Sequence, residues 1–148
     1  MFRGNSFHTI DAKGRIIIPA RFRSVIRAGG GQGVMVSRRG PGLWVYTHDE
    51  WGKIEANFAA VQDKSDELQR FMRVFLGGAF ECSCDKQDRI LIPPALRELA
   101  GLDRDIVIVG VLNRFEIWSR DNWEKEIKQQ EEDAKKEDVR REISRLGL

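Results

Sequence analysis

Asp11-Ala12-Lys13-Gly14-Arg15-Ile16-Ile17-Ile18-Pro19 decides the fold because the chain contains it twice. Seventy-four residues later the chain reads Asp85-Lys86-Gln87-Asp88-Arg89-Ile90-Leu91-Ile92-Pro93. Both copies hold an Asp, three turn-like residues, an Arg, three aliphatics and a Pro. An Asp at the head of a turn accepts hydrogen bonds from backbone N–H groups two residues on, and a Gly supplies a left-handed conformation. Lys13-Gly14 is therefore read as the tip of a tight reversal. The β-branched Ile16-Ile17-Ile18 run suits a strand, and Pro19 ends it because it has no N–H to donate.

The repetition extends in both directions. Gly4 and Gly78 each stand seven residues before the Asp, and Ala20-Arg21-Phe22-Arg23 is matched by Ala95-Leu96-Arg97. Leu43-Trp44-Val45-Tyr46-Thr47-His48-Asp49-Glu50-Trp51 then aligns with Phe115-Glu116-Ile117-Trp118-Ser119-Arg120-Asp121-Asn122-Trp123 at an offset of 72. The second copy is thus two residues shorter in the glycine-rich loop around Arg27–Gly33. The boundaries that follow are a first repeat over residues 5–52, connecting helices over 53–77, a second repeat over 78–124 and a C-terminal helix over 125–148. A unit of about 45 residues is close to the lower limit for folding without a metal or disulfide, so the two repeats are expected to share one core.

The helical segments carry their own signals. Arg21–Arg27 reads as a short helix with Phe22, Val25 and Ile26 on one side. Thr47-His48-Asp49-Glu50 fits a capping box opening a helix with Trp51, Ile54, Phe58 and Val61. A second helix starts at Ser65 or Asp66, carries Leu68, Phe71, Met72, Phe75 and Leu76, and stops at Gly77-Gly78. The last stretch, residues 121–148, reads as one amphipathic helix; its 125–148 part holds seven bases and seven acids, which argues against a nucleic-acid tail.

Charge is spread unevenly. The chain of 148 residues has a net charge of +2, yet residues 1–48 hold eight bases (Arg3, Lys13, Arg15, Arg21, Arg23, Arg27, Arg38, Arg39) against Asp11 alone, a net +7. The remainder holds 17 bases and 22 acids, a net −5. A concentrated positive N-terminal third points to a polyanionic partner. Lys13 and Arg15 lie at the turn, with Arg3, Arg21 and Arg23 placed nearby, and these five are the candidate DNA contacts. A two-stranded ribbon fits the major groove, where an Arg bonded in bidentate fashion to guanine is the commonest specific contact.

Other chemistries find little support. Cys82 and Cys84 point to the same face of a strand and lack partners at zinc-site spacing, so they read as small packed hydrophobes. No disulfide framework is evident, which suits a reducing cytosol, and Met1-Phe2-Arg3-Gly4 leads straight into polar sequence with no secretory leader. No apolar run approaches membrane-spanning length. The Asp–Arg pairs have no nucleophile, paired base or metal cluster beside them, so no catalysis, cofactor or small-molecule substrate is expected.

The opening Met1-Phe2-Arg3-Gly4, the pair Asp11-x-x-x-Arg15 and Asp85-x-x-x-Arg89, and the repeated aromatic-Asp-x-Trp segment together resemble the MraZ family of bacterial transcriptional regulators, across nearly the whole chain. The resemblance implies an α+β fold: an AbrB-like swapped-hairpin β-barrel built by two internal repeats, with helices around it. It also implies ring-shaped homo-oligomers and binding to repeated double-stranded DNA sites upstream of the division and cell-wall gene cluster. It further implies a cytoplasmic, nucleoid-associated location. One position departs from the family pattern: Asp88 stands where the first copy has Gly14. A carboxylate there, within a second repeat of net −3, disfavours phosphate, so Asp85 and Arg89 are expected to act structurally, as Asp11 and Gly14 do. The rival readings are a ring-forming assembly module and an antitoxin with an AbrB-like DNA-binding part. Antitoxins of that type carry one barrel unit and a disordered tail, whereas this chain has two units and a helical tail.

Overall fold

The computed structural model describes residues 1–148. The chain enters as β1 (Asn5–Thr9), reverses into β2 (Arg15–Ile17) and passes Pro19 into α1 (Ala20–Ala28). Strands β3 (Gly33–Arg39) and β4 (Gly42–Tyr46) complete the first repeat, and α2 (His48–Ala60) and α3 (Asp66–Phe75) bridge to the second. The second repeat follows the same order: β5 (Phe80–Ser83), β6 (Arg89–Leu91), α4 (Pro94–Ala100), β7 (Asp105–Val111) and β8 (Arg114–Ser119). Helices α5 (Arg120–Asp133) and α6 (Glu137–Ser144) end the chain.

The strands pair across the repeats. The six-stranded antiparallel sheet runs β1-β7-β8-β4-β3-β5. The first strand of repeat one therefore lies on β7 of repeat two, with Phe7 opposite Val107, and β5 lies on β3, with Val34 opposite Cys82. The order reads the same from either end once the repeats are exchanged, so the sheet has a pseudo-twofold axis between β4 and β8. The short β2 and β6 leave this sheet and pair with each other, Ile16 opposite Ile90. Their tips interlock: Ile18 N donates to Asp88 O at 2.8 Å and Ile92 N to Gly14 O at 2.9 Å.

One core serves both repeats. Ile16, Ile18, Ile90 and Ile92 from the ribbon meet Val34, Val36, Ile106, Ile108 and Ile117 from the sheet in a single cluster of 20 buried residues. At its centre Phe2, Phe22 and Phe115 pack with ring centroids 5.1–5.2 Å apart, a spacing at which edge-to-face aromatic contacts add to the burial energy. Cys82 belongs to this core; burial, then Cys84 and Glu81, push its thiol up to about 11. A smaller cluster of Tyr46, Trp51 and Phe75 fixes α2 and α3 to the outer face of the sheet. Both helices start as their composition dictates, with Thr47 Oγ1 accepting from Glu50 N at 3.2 Å and Ser65 Oγ from Leu68 N at 3.1 Å.

One expectation is met in part and one needs correction. The six-stranded sheet is not closed on itself: β1 and β5 are its edges, because β2 and β6 pair with each other instead of bridging them. The C-terminal segment is two helices rather than one. Helix α5 is capped at Ala134 and α6 begins after Lys136, in a stretch whose one apolar side chain, Ala134, is too small to hold a continuous helix against the protein. Neither helix contains a buried residue, and no helix in the chain is long and apolar enough to cross a membrane.

Candidate nucleic-acid interface

The two turns are built alike from backbone bonds to one carboxylate. Asp11 Oδ1 accepts from Lys13 N at 3.0 Å and Arg15 N at 2.8 Å, while Asp11 Oδ2 accepts from Arg15 Nε at 2.6 Å. In the second repeat Asp85 Oδ1 accepts from Gln87 N and Arg89 N, each at 2.9 Å, and Oδ2 from Arg89 Nε at 2.9 Å. These bonds favour the ionised carboxylate. The Arg15 backbone N–H foremost holds the Asp11 carboxyl below the usual carboxylate range, and the Arg89 N–H does the same for Asp85. The tip residue takes the left-handed conformation in both copies, Gly14 at φ +90° and Asp88 at φ +58°. Asp is one of the few L-residues that visits this region with modest strain.

Strand pairing then sets what the ribbon shows to solvent. Side chains alternate along a strand, and Arg15 lies opposite Leu91 while Ile17 lies opposite Arg89. These four side chains share one face; Ile16 and Ile90 point the other way into the core, fully buried. On the outer face Ile17 and Leu91 are 53% and 55% exposed, flanked at opposite corners by the two arginines. Each arginine spends its Nε on the turn carboxylate, and its side chain has no other hydrogen bond or ion pair. Two terminal nitrogens per arginine stay free to donate, in the planar fork that matches a guanine edge or a phosphate.

The other basic residues divide. Lys13 is exposed at the first tip and Lys86 at the second. Arg21 turns away from the ribbon: its Nε donates to Arg3 O at 3.1 Å and its Nη2 to Ser6 Oγ at 3.1 Å, with the guanidinium over the Phe22 ring. Arg21 and Arg3 are thus tied to each other, and neither is bonded to the tip. Arg23 donates from Nε to Ile18 O at 3.1 Å and from Nη1 reaches Asp88 Oδ2 at 3.3 Å. Arg27 lies 3.9 Å from the same carboxylate. The Asp88 charge, expected beside Arg89, is instead held by two arginines of the first repeat.

Arg97 is a residue the sequence reading passed over. It is the repeat counterpart of Arg23, and its Nε donates to Ile92 O at 3.0 Å as Arg23 does to Ile18 O. Its side chain lies against the first tip, so that a Cβ at Gly14 would come within 2.6 Å of Cζ. The signal was available in the match of Arg97 to Arg23 at the repeat offset.

Comparison with known proteins accounts for this duplicated ribbon. A family profile described as "MraZ protein, putative antitoxin-like" matches residues 1–73 and again residues 75–145. The chain belongs to the MraZ family. It is 56% identical over 148 residues to a protein of Desulforapulum autotrophicum named "Transcriptional regulator MraZ", covering all of both chains. It is 49% identical, again over the full length of both, to the protein of that name from Desulfosudis oleivorans. A third, from Syntrophobacter fumaroxidans, is 44% identical over 86% of this chain and 85% of its own length. The two profile matches meet at residue 74, in the last turn of α3, so that each covers one repeat.

Proposed function

We propose that this member of the MraZ family is a DNA-binding transcriptional regulator that presents the β2–β6 ribbon to the major groove of double-stranded DNA. The observation that carries the reading is the common face of Arg15, Ile17, Arg89 and Leu91. It offers two arginines with free terminal nitrogens and two exposed aliphatic side chains suited to thymine methyl groups. Lys13 and Lys86, at the two ends of the ribbon, supply phosphate contacts that set position without reading sequence. In this reading Arg89 acts beside Arg15, because Asp88 is engaged by Arg23 and Arg27. Arg23 has a bracing role, and Arg21 and Arg3 steady the N-terminal strand.

The ribbon lies over the same core as the open sheet, and we read the whole as an AbrB-like swapped-hairpin barrel with β2 and β6 filling the gap between the sheet edges. The target proposed from the family is a set of repeated sites upstream of the division and cell-wall gene cluster. The form proposed is a cytoplasmic, nucleoid-associated homo-oligomeric ring in which successive chains engage successive sites. Exposed apolar side chains at Met1, Leu112, Leu146 and Leu148 support further association. The test is titration of a fluorescent duplex from the protein's own upstream region at two salt concentrations. Specific binding should fall steeply with salt and should be lost in Arg15→Ala; normal binding by a folded Arg15→Ala would remove the ribbon from the interface.

A further inference from the structure

The two tips differ in one respect that the repeat symmetry brings out. At the second tip the Asp88 carboxylate lies 3.3 Å from Arg23 and 3.9 Å from Arg27, so an anion from the protein itself sits against the bracing arginine. At the first tip the bracing arginine is Arg97, which lies on Gly14 with its Nε bonded to Ile92 O and has no carboxylate partner. Summed charge does not separate the two sites. Lys13, Arg15 and Arg97 against Asp11 give +2, and Lys86, Arg89, Arg23 and Arg27 against Asp85 and Asp88 also give +2. Placement separates them. The second tip has its anion built in, whereas the first offers a guanidinium with free terminal nitrogens, seated in the space that a side chain at Gly14 would fill.

We infer that Arg97, a residue of the second repeat, is the phosphate contact of the first repeat's tip, and that Asp88 fills the corresponding phosphate position at the second tip. The inference rests on the ribbon being the DNA-binding face. Its consequence is polarity: each chain grips the backbone more firmly at its Gly14 end than at its Asp88 end. A nearly twofold protein thereby acquires a direction on its site. Arg97 thus serves the tip that the other repeat supplies, and neither repeat alone has a complete DNA-binding surface.

The experiment titrates the full-length chain with the fluorescent upstream duplex across a salt series, using Arg97→Ala, Arg97→Lys, Asp88→Asn and, as control, Arg15→Ala, with a melting curve for each. Arg97→Ala should weaken binding about tenfold at low salt for all sequences alike and lower the salt slope by about one phosphate. Arg97→Lys keeps the charge and should keep the slope. Asp88→Asn frees Arg23 and Arg27, and should tighten binding and steepen the slope; because it does not touch Arg97, it still tests the inference if Arg97→Ala melts early. An unchanged slope in folded Arg97→Ala, or unchanged binding in Asp88→Asn, overturns the inference. If Arg15→Ala loses binding in that case, the ribbon remains the DNA face and only the roles of Arg97 and Asp88 fall. If Arg15→Ala also binds normally, the ribbon reading falls with them.

Discussion

Arg15 Nε donates to Asp11 Oδ2 at 2.6 Å, while the terminal nitrogens of Arg15 bond to nothing else in the protein. The carboxylate therefore aims the guanidinium without consuming the two groups that would read a base. Charge counting says that removing an acid from a DNA-binding face should tighten binding. Aiming says the reverse, because a free arginine must be ordered when it binds. We expect Asp11→Ala to weaken specific binding by about 1 kcal/mol or more, within the roughly 1–3 kcal/mol assigned to a bidentate base contact, and to shift the turn's backbone bonds as well. Anisotropy titration against specific and scrambled duplexes decides: tighter binding by Asp11→Ala would show that the acid opposes DNA.

Arg15→Ala and Arg89→Ala should act alike. Each loses an ion pair whose partners are a quarter to two-fifths exposed, and pairs at the surface contribute only about 0–1 kcal/mol. Melting temperatures should move by a few degrees at most, while each variant loses its preference for the specific duplex. If Arg89→Ala melts early and keeps full discrimination, Arg89 is a turn brace, as the sequence reading had it.

The shared core makes a different demand. Phe115, fully buried in repeat two, packs against Phe22 of repeat one and against Phe2 just ahead of it. Phe115→Ala should cost about 3–5 kcal/mol, the range for deleting a buried phenyl ring. The loss should appear as one cooperative transition in urea at a lower midpoint, because the aromatic cluster belongs to both repeats. Two separate transitions would mean that the repeats fold independently. Residues 1–77 alone should stay unfolded, since β1 would lack β7 and β3 would lack β5.

Much of this was legible from residue types. The Asp-x-x-x-Arg turns, the aliphatic runs, the Thr47 and Ser65 caps and the helical stripe from Leu68 to Leu76 all state local preferences, and local preferences survived into the fold. Pairing did not show. Nothing in Asn5–Thr9 marks Val107 rather than Ile16 as the neighbour of Phe7, because alternation fixes a face and not a partner. The role of Asp88 was hidden for the same reason: its charge looked adjacent to Arg89 along the chain, but the left-handed tip turns it toward Arg23 in the other repeat. The break at Ala134–Lys136 carried no Gly or Pro, only a run of charge with no large apolar side chain as an anchor.

The last prediction concerns pH. Backbone N–H groups stabilise the ionised forms of Asp11 and Asp85 and depress both carboxyls in the folded protein. A depressed acid contributes stability above its unfolded value of about 3.9, and that contribution is lost as pH falls through the folded value. The turns should therefore loosen only below about pH 4. His8 differs: burial first, and Arg21 second, lower its value in the folded state, while Ser6 Oγ lies 2.6 Å from its Nε2. As pH falls through about 6.5 the unfolded chain takes up this proton before the folded one does, so stability declines from that point toward the folded value. Melting temperature plotted from about pH 8 to about pH 3 should show a shallow fall starting near 6.5 and a second below 4. His8→Gln should remove the first alone, and Asp11→Asn with Asp85→Asn should reduce the second alone. A first step that survives His8→Gln would assign it to another group and separate His8 from the Arg21 brace.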